Sequence, residues 1–538
     1  MIKRPFISNL IIIFISLLFL TNCKNKTKTV TAQKDTSQKI LAKEIGIPGT
    51  FSTQTKIKFD SININSFLDS FPRFKIFKQQ LLIFYKNRNY AYAWYDENGI
   101  IEPASNLYNR IQNISDEGLP DSLPYKVAFT NLIVDYEGNK SPSPTTELML
   151  TSQYIAYAKN VWQGLSEKQS LSTEWLLPRK KITTQQLLDS LVNGTNKFQN
   201  LPMYRQYNLL KDYLKKYNGI KNPSQLLAIK GNKKTYKLSD SAAVIADIRE
   251  RLFLLEDIAT NNHSMVFDGL LAAGVKQFER RLGYKEDGIV NTILLNEMNF
   301  PIRKRIEQIL VNMERSRWVP VELKSDYLLV NIPEYKLHVY QHDSLAFSMN
   351  AVVGKNQNKT VIFNGDMKYI VFSPYWNIPS SILNKEVLPG IKKNSNYLNQ
   401  HNMEWNGGNV RQKPGANNSL GLVKFLFPNT HSIYLHDSPA KSLFSEDARA
   451  FSHGCIRLAE PKKLAEYLLR NDSNWNNEKI TAAMNGRIER YVTLKKTVPV
   501  FIAYFTAWVD RQGKLNFRND VYKRDERLAK MILDNPGI

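Results

Sequence analysis

Residues Ser452-His453-Gly454-Cys455-Ile456-Arg457-Leu458 gather a thiol, an imidazole and a guanidinium around one glycine. A lone cysteine is more often a small buried hydrophobe than a reagent, so its neighbours decide its meaning. His453 stands two residues before it, and Ser432-Ile433-Tyr434-Leu435-His436-Asp437 contains a second imidazole that a strand can bring alongside. A thiol needs a nearby base or positive charge to become thiolate near neutral pH, and histidine supplies either. Three readings stay open on these residues alone. One is a Cys-His nucleophilic site in which Gly454 permits the close backbone approach of an oxyanion hole. The second is a zinc site from His436, His453 and Cys455, whose spacing matches no common zinc motif. The third is an inert core cysteine.

The sequence around this cluster has the period of strands. Leu337 and Val339, then Phe347, Met349, Ala351 and Val353 after a turn at His342-Asp343, alternate as a half-buried antiparallel hairpin does. Pro374, Pro379, Pro389, Pro414, Pro428 and Pro439, with Gly407-Gly408 and Gly415, break residues 374–440 into long loops between short strands. Long loops on a β scaffold are where sites usually sit.

Before Pro320 the period is helical. Ile245, Ile248, Leu252 and Leu255 form one apolar stripe, and Leu271, Val275, Phe278 and Leu282 a second. Asp287-Gly288 makes a turn, a third helix begins near Thr292, and a further helix carries Ile302, Ile306, Ile309 and Met313 up to Pro320, which ends it. Residues from about 60 to 235 mix aromatic and apolar helical patterns, as at Phe84–Trp94 and Tyr154–Trp162, without a chemical motif. They read as a helical scaffold whose aromatics form core.

The 538 residues are 43% hydrophobic, enough for about three domains with cores of their own. Only two cysteines are present, which excludes a disulfide framework and most cysteine-based zinc folds. The first, Cys23, follows Lys3-Arg4 and the apolar run Leu10–Leu20, a basic head and export core too short to span a bilayer. Leu20-Thr21-Asn22-Cys23 resembles a bacterial lipoprotein cleavage box, in which the cysteine is acylated and becomes the first residue. The lysine-rich stretch after it, to about residue 58, reads as a tether. With Cys23 lipidated, Cys455 has no internal disulfide partner in an oxidising compartment, where an idle thiol is a liability. The net charge of +24 suits an acidic polymer, and export makes nucleic acid and ATP or NAD chemistry improbable.

Two resemblances gather these readings. Phe267–Gly283 with Asp287-Gly288-Ile289-Val290 is similar to the small helical peptidoglycan-binding domain of wall enzymes. His436, fifteen intervening residues, and then Ser452-His453-Gly454-Cys455 with Arg457 resemble the catalytic signature of the L,D-transpeptidases, the YkuD-type domain. Supporting strings are Val330–Leu337, Val352-Val353-Gly354-Lys355, Pro374–Ile382 and Asn418-Ser419-Leu420-Gly421 through Val423-Lys424-Phe425. The domain order resembles the large, scaffold-containing branch of that family.

The resemblance implies an α+β multidomain chain. Its parts are a signal peptide (1–22), a lipidated cysteine and tether (23–58), a helical scaffold domain (59–238), a peptidoglycan-binding-like helical domain (239–300) and a connecting helix (301–320). A mostly β catalytic domain (321–510) and a C-terminal extension (511–538) follow. It also implies Cys455 as nucleophile, His436 as its base, the Asp437 carbonyl as the group orienting that base, and backbone N–H groups around Gly454 and Cys455 as the oxyanion hole. Ser452, His453, Arg457 and Trp376 are expected to shape the site or hold substrate, and the segment 380–430 to act as a lid that excludes water. No metal or cofactor is expected. The implied partners are peptidoglycan stem peptides as donor and acceptor, a membrane reached through the lipid at Cys23, and other wall-synthesis enzymes. The implied place is the periplasm, at the outer membrane because Lys24 follows the cysteine. Crosslinking of diaminopimelate to diaminopimelate is the expected reaction. Hydrolysis of the same bond, attachment of a protein to the wall, and a catalytically dead wall-binding scaffold are the alternatives.

Overall fold

The alternation that begins at Leu328 closes a barrel. The computed structural model describes residues 47, 50–121, 123–136, 141–180, 188, 204–220, 227–319, 325–342 and 344–534. Cys23, the signal peptide, most of the tether and Pro320 lie outside them. Strands β1 (Tyr327–Asn331), β2 (Lys336–Gln341), β3 (Ser344–Gly354) and β4 (Phe363–Phe372) are followed by a small insert. The insert holds β5 (Trp376–Asn377), β6 (Met403–Asn406) and β7 (Asn409–Gln412). Then come β8 (Val423–Leu426), β9 (Leu435–His436), β10 (Ala450–Ser452), β11 (Ile456–Leu458) and β12 (Arg490–Ala503). The main sheet runs β10-β3-β11-β9-β8-β4-β12-β1-β2, and β2 pairs back onto the first half of the long β3. The expected hairpin is β2–β3.

Because side chains alternate along a strand, one face of this sheet is apolar throughout. Leu328, Val330, Leu337, Val339, Ala351, Val353, Ile370, Phe372, Val423, Phe425, Leu435, Ile456, Leu458, Val500 and Ile502 are buried together. The other face therefore carries the remaining residues of the same strands, including His436 and Arg457.

The helical part has its own core. Helix α1 (Pro144–Tyr157) is buried on nearly every side, and Phe84, Tyr85, Trp94, Tyr154, Tyr157 and Trp162 pack with it, as expected of a scaffold whose aromatics are core. Its Glu147 has no exposure, and accepts from the Ala93 N–H at 2.6 Å, the Trp94 N–H at 3.1 Å and the Tyr85 hydroxyl at 2.8 Å. These donors offset its desolvation, which still raises its pKa to about 7. Helices α2 (Gln206–Gly219), α3 (Ala243–Leu254), α4 (Gly269–Leu282) and α5 (Thr292–Met298) follow. The stripes at 245–252 and 271–282 point inward as their spacing predicts, Asp268 caps α4 by accepting from the Leu271 N–H at 2.8 Å, and Gly283 closes it with φ +80°.

Helix α6 (Ile302–Trp318) ties the parts together. Its Ile309 and Met313 enter the helical core, while Val311 and Trp318 enter the barrel core. The segment set apart by sequence as a C-terminal extension also serves both cores. Phe517, on the hairpin of β13 (Ala507–Val509) and β14 (Leu515–Phe517), packs into the helical core, and Leu528 and Ile532 of α7 (Asp525–Leu533) pack under the barrel. Residues 239–300 share their core with the scaffold helices, so the apolar faces of the two are satisfied by each other. No helix among the described residues is long and apolar enough to cross a membrane.

Candidate active site

Strands β9 and β11 pair in parallel, with Leu435 opposite Ile456 and His436 opposite Arg457. The Ile456 N–H donates to the Tyr434 carbonyl at 3.1 Å, which continues the register so that Cys455 stands beside Tyr434. Period two then puts Tyr434, His436, Cys455 and Arg457 on one face and Leu435 and Ile456 in the core. A row can be followed across the sheet on that face: Val352, Arg457, His436, Lys424, Val371, Tyr491, each the register partner of the next. The structure thus joins Cys455 and His436, which lie 19 residues apart in sequence, by one strand pairing.

His436 is 4% exposed. Burial lowers its pKa to about 4, and the Arg457 charge beside it pushes in the same direction. The ring is therefore a neutral imidazole at neutral pH. Its Nδ1 is buried without a hydrogen-bond partner among the described residues. The backbone of Asp437, like that of Leu420, faces the ring and favours its protonated form, against the larger effect of burial. The Asp437 carboxylate accepts from the Leu422 N–H at 2.9 Å, the Ser438 N–H at 2.7 Å and Lys441 Nζ at 2.5 Å. Gly421, at φ +61°, leaves room for that carboxylate: a Cβ there would stand 2.4 Å from it. The Asp437 side chain thus braces the turn that feeds β8.

Cys455 is half-buried and unpaired, its Sγ 3.7 Å from the Ser432 carbonyl. Burial raises its thiol pKa above the ordinary value, and the neighbouring Tyr434 and Arg457 oppose that rise. A raised thiol beside a lowered imidazole describes a neutral pair, poised to pass a proton when an electrophile arrives.

The loop that carries Cys455 is held from within. The Ser452 hydroxyl donates to the Cys455 carbonyl at 2.5 Å and accepts from the Gly454 N–H at 3.2 Å. Ser452, 2% exposed, is therefore a staple of the loop, and the Gly454 N–H is already engaged. Of the two N–H groups expected in the oxyanion hole, that of Cys455 has no acceptor among the described residues. Thr360 Oγ1 donates to the Gly454 carbonyl at 2.8 Å and accepts from the Gly354 N–H at 2.9 Å, while Tyr522 donates to the Gly354 carbonyl at 2.6 Å. Gly354 permits this packing, since a Cβ there would meet the Asn358 carbonyl at 2.0 Å. Sequence reading missed Thr360 and Tyr522. Neither stands in a motif, and Tyr522 comes from the segment taken as an extension.

His453 is exposed, with Nε2 4.0 Å from a Glu386 carboxylate oxygen in the insert. His453 thus turns outward to the insert while His436 is buried on the sheet, so the zinc reading is not built. No group of three or more His, Cys, Asp and Glu placed to hold a metal occurs among the described residues. Arg457 is half-buried, makes no ion pair among the described residues and has a buried Nε without a partner. The insert, residues 376–412, has a three-stranded sheet and a small core of Ile378, Val387, Met403 and Val410. Trp376 packs against that core, and no ring contact or hydrogen bond links it to Cys455 or His436 among the described residues. Trp405 stands 54% exposed on the insert.

Residues 325–500 match the family profile described as the L,D-transpeptidase catalytic domain (YkuD), and residues 79–214 match a profile described as a scaffold domain. Both fall inside segments that the sequence marks as catalytic and scaffold. A Haemophilus influenzae protein named "Putative L,D-transpeptidase" is 30% identical over 246 residues, which cover 41% of this chain and 49% of that protein. The chain thus spans about half the length of the curated relative it matches. Among solved structures, an L,D-transpeptidase from Mycobacterium smegmatis is 14% identical, over 33% of this chain and 58% of that one, with a TM-score of 0.20. One from Stackebrandtia nassauensis is 13% identical, over 51% and 97%, with a TM-score of 0.22. Likeness at that level carries no argument. The profile matches do: residues 325–500 of this chain form an L,D-transpeptidase catalytic domain, carried behind a scaffold domain.

Proposed function

We propose that the chain is a peptidoglycan L,D-transpeptidase that joins diaminopimelate to diaminopimelate through a thioester on Cys455. The observation that carries this is the parallel β9–β11 pairing, which sets a half-buried thiol on one face with a buried, neutral imidazole. As Sγ attacks the carbonyl between the L-centre of the donor diaminopimelate and its terminal D-Ala, the thiol proton passes to His436. The Cys455 N–H faces the developing oxyanion, a contribution whose loss typically costs about 3 kcal/mol. The C–N bond breaks, His436 returns the proton to the D-Ala amine, and a thioester remains. The amine of a second stem peptide then attacks the thioester and passes a proton to His436, which returns it to sulfur as the new amide forms. The two steps replace one harder one.

The basic balance of the chain suits the carboxylate-rich stems, and the guanidinium of Arg457 beside His436, which makes no ion pair among the described residues, suits one carboxylate of the donor. Lipidation at Cys23 places the enzyme in the periplasm, tethered at the outer membrane. The test is mass spectrometry of disaccharide tetrapeptide incubated with the protein and with Cys455→Ala. Crosslinked dimers that vanish in the variant support the reading. Tripeptide without dimer supports hydrolysis, and unchanged substrate with no adduct on Cys455 from a carbapenem contradicts it in favour of a binding scaffold.

A further inference from the structure

On the side of His436 away from Arg457, the row across the sheet continues with Lys424, directly opposite His436 in the antiparallel β8–β9 pair. Directly opposed side chains on one face stand with Cβ atoms about 5 Å apart. Lys424 is flanked in sequence by Val423 and Phe425, both buried in the barrel core, so its own side chain belongs to the face of the nucleophile. It is 11% exposed. Its Nζ lies 3.4 Å from Glu489 Oε1, which also accepts from the Tyr375 N–H at 3.0 Å, and 5.9 Å from the centre of the Tyr491 ring.

This pair is loose. The ion pairs that brace this fold are shorter, as for Arg317 with Glu314 at 2.7 Å and Lys441 with Asp437 at 2.5 Å. An ammonium has three donors, and Lys424 commits one, at long range, to the carboxylate among the described residues. A cation and an anion, both partly open, stand side by side on the site face, as the head of a free amino acid requires.

Two strand spacings across and two residues along put the Cα atoms of Lys424 and Cys455 about 12 Å apart. The lysine side chain leans away from Cys455, toward Glu489 and Tyr491, so a donor diaminopimelate, whose two centres stand about 5 Å apart when extended, reaches it only when stretched along the row from Cys455. We infer that Lys424 and Glu489 form the subsite for the free D-centre of the donor's diaminopimelate, Lys424 taking its carboxylate and Glu489 its ammonium. This rests on the proposed transpeptidase reading and names the residues that choose the stem.

The test compares donor tetrapeptides carrying diaminopimelate or, in its place, lysine, which keeps the ammonium and lacks the carboxylate. D-Ala release is followed for the wild type, Lys424→Met, Lys424→Arg and Glu489→Gln, with folding checked by circular dichroism. The wild type should prefer diaminopimelate. Lys424→Met should lower kcat/KM for that donor on the order of ten- to hundredfold, through KM, and leave the lysine donor almost unchanged. Lys424→Arg should restore part of the preference. Glu489→Gln, whose amide oxygen can still accept from Tyr375, should weaken both donors. Equal losses on both donors in Lys424→Met, or an undiminished preference for diaminopimelate, overturn the subsite and leave the transpeptidase reading standing. If Lys424→Met does not fold, an undiminished Glu489→Gln on both donors overturns it. No D-Ala release from either donor by the folded wild type overturns the parent reading, and the subsite with it.

Discussion

Replacing Thr360 by valine keeps the shape of the side chain and removes the hydroxyl that joins the nucleophile loop to the barrel. Thr360 has no exposure, and its Oγ1 serves both the Gly454 carbonyl at 2.8 Å and the Gly354 N–H at 2.9 Å. Each buried group left without a partner costs roughly 1–3 kcal/mol. The Gly454 end can relax toward solvent, so the combined loss should be about 2–3 kcal/mol, near the lower end of the range for two groups. Serine keeps both contacts and should lose little. Two assays should move in opposite directions. Acyl transfer should fall by at least tenfold, the equivalent of about 1.4 kcal/mol in the barrier, because Cys455 and its N–H are no longer held in place. Alkylation of Cys455 by iodoacetamide at pH 8 should speed up, because burial is the first cause of its raised pKa and a looser loop reduces that burial. If valine, serine and wild type unfold at the same urea concentration and alkylate at the same rate, Thr360 does not hold the loop and the reasoning fails.

The lowered pKa of His436 links stability to acid. The ring is about 6.5 when unfolded and about 4 when folded. The unfolded chain then binds the proton more tightly, so this stabilisation is complete above about pH 6.5 and is lost as pH falls toward 4. Between pH 7 and 4.5 the wild type should lose roughly 2–3 kcal/mol more than His436→Gln in urea unfolding, and parallel curves for the two would refute it. Gly421→Ala should destabilise by about 2–3 kcal/mol, from the left-handed backbone and the displaced Asp437 carboxylate. In an Asp437→Ala background only the backbone cost of about 1 kcal/mol should remain, and strict additivity would argue against the contact.

The readable part of this protein was what repeats or clusters along the chain. The 3.6 period at Ile245–Leu252 and Leu271–Leu282, and the alternation through β2 and β3, placed helices and hairpin correctly because each depends on its own burial. Cys455 and His436 stood out because their side chains are rare and reactive. Thr360, Tyr522 and Lys424 did not, since their importance comes from contacts between segments far apart in the chain, and local sequence does not write those contacts. One signal for Lys424 was present: a single lysine between Val423 and Phe425 must share the polar face of its strand. The bonds that Ser452 and the Asp437 carboxylate make to backbone groups become visible only once the loops are folded.

The most direct test of the central claim is the intact mass of the protein mixed with disaccharide tetrapeptide and quenched in acid at short times. The account predicts a mass increase equal to the donor less D-Ala, mapped to the peptide containing Cys455, absent in Cys455→Ala and slowed at least a hundredfold in His436→Gln. Turnover of the donor by Cys455→Ala, or an adduct on any other residue, would contradict it.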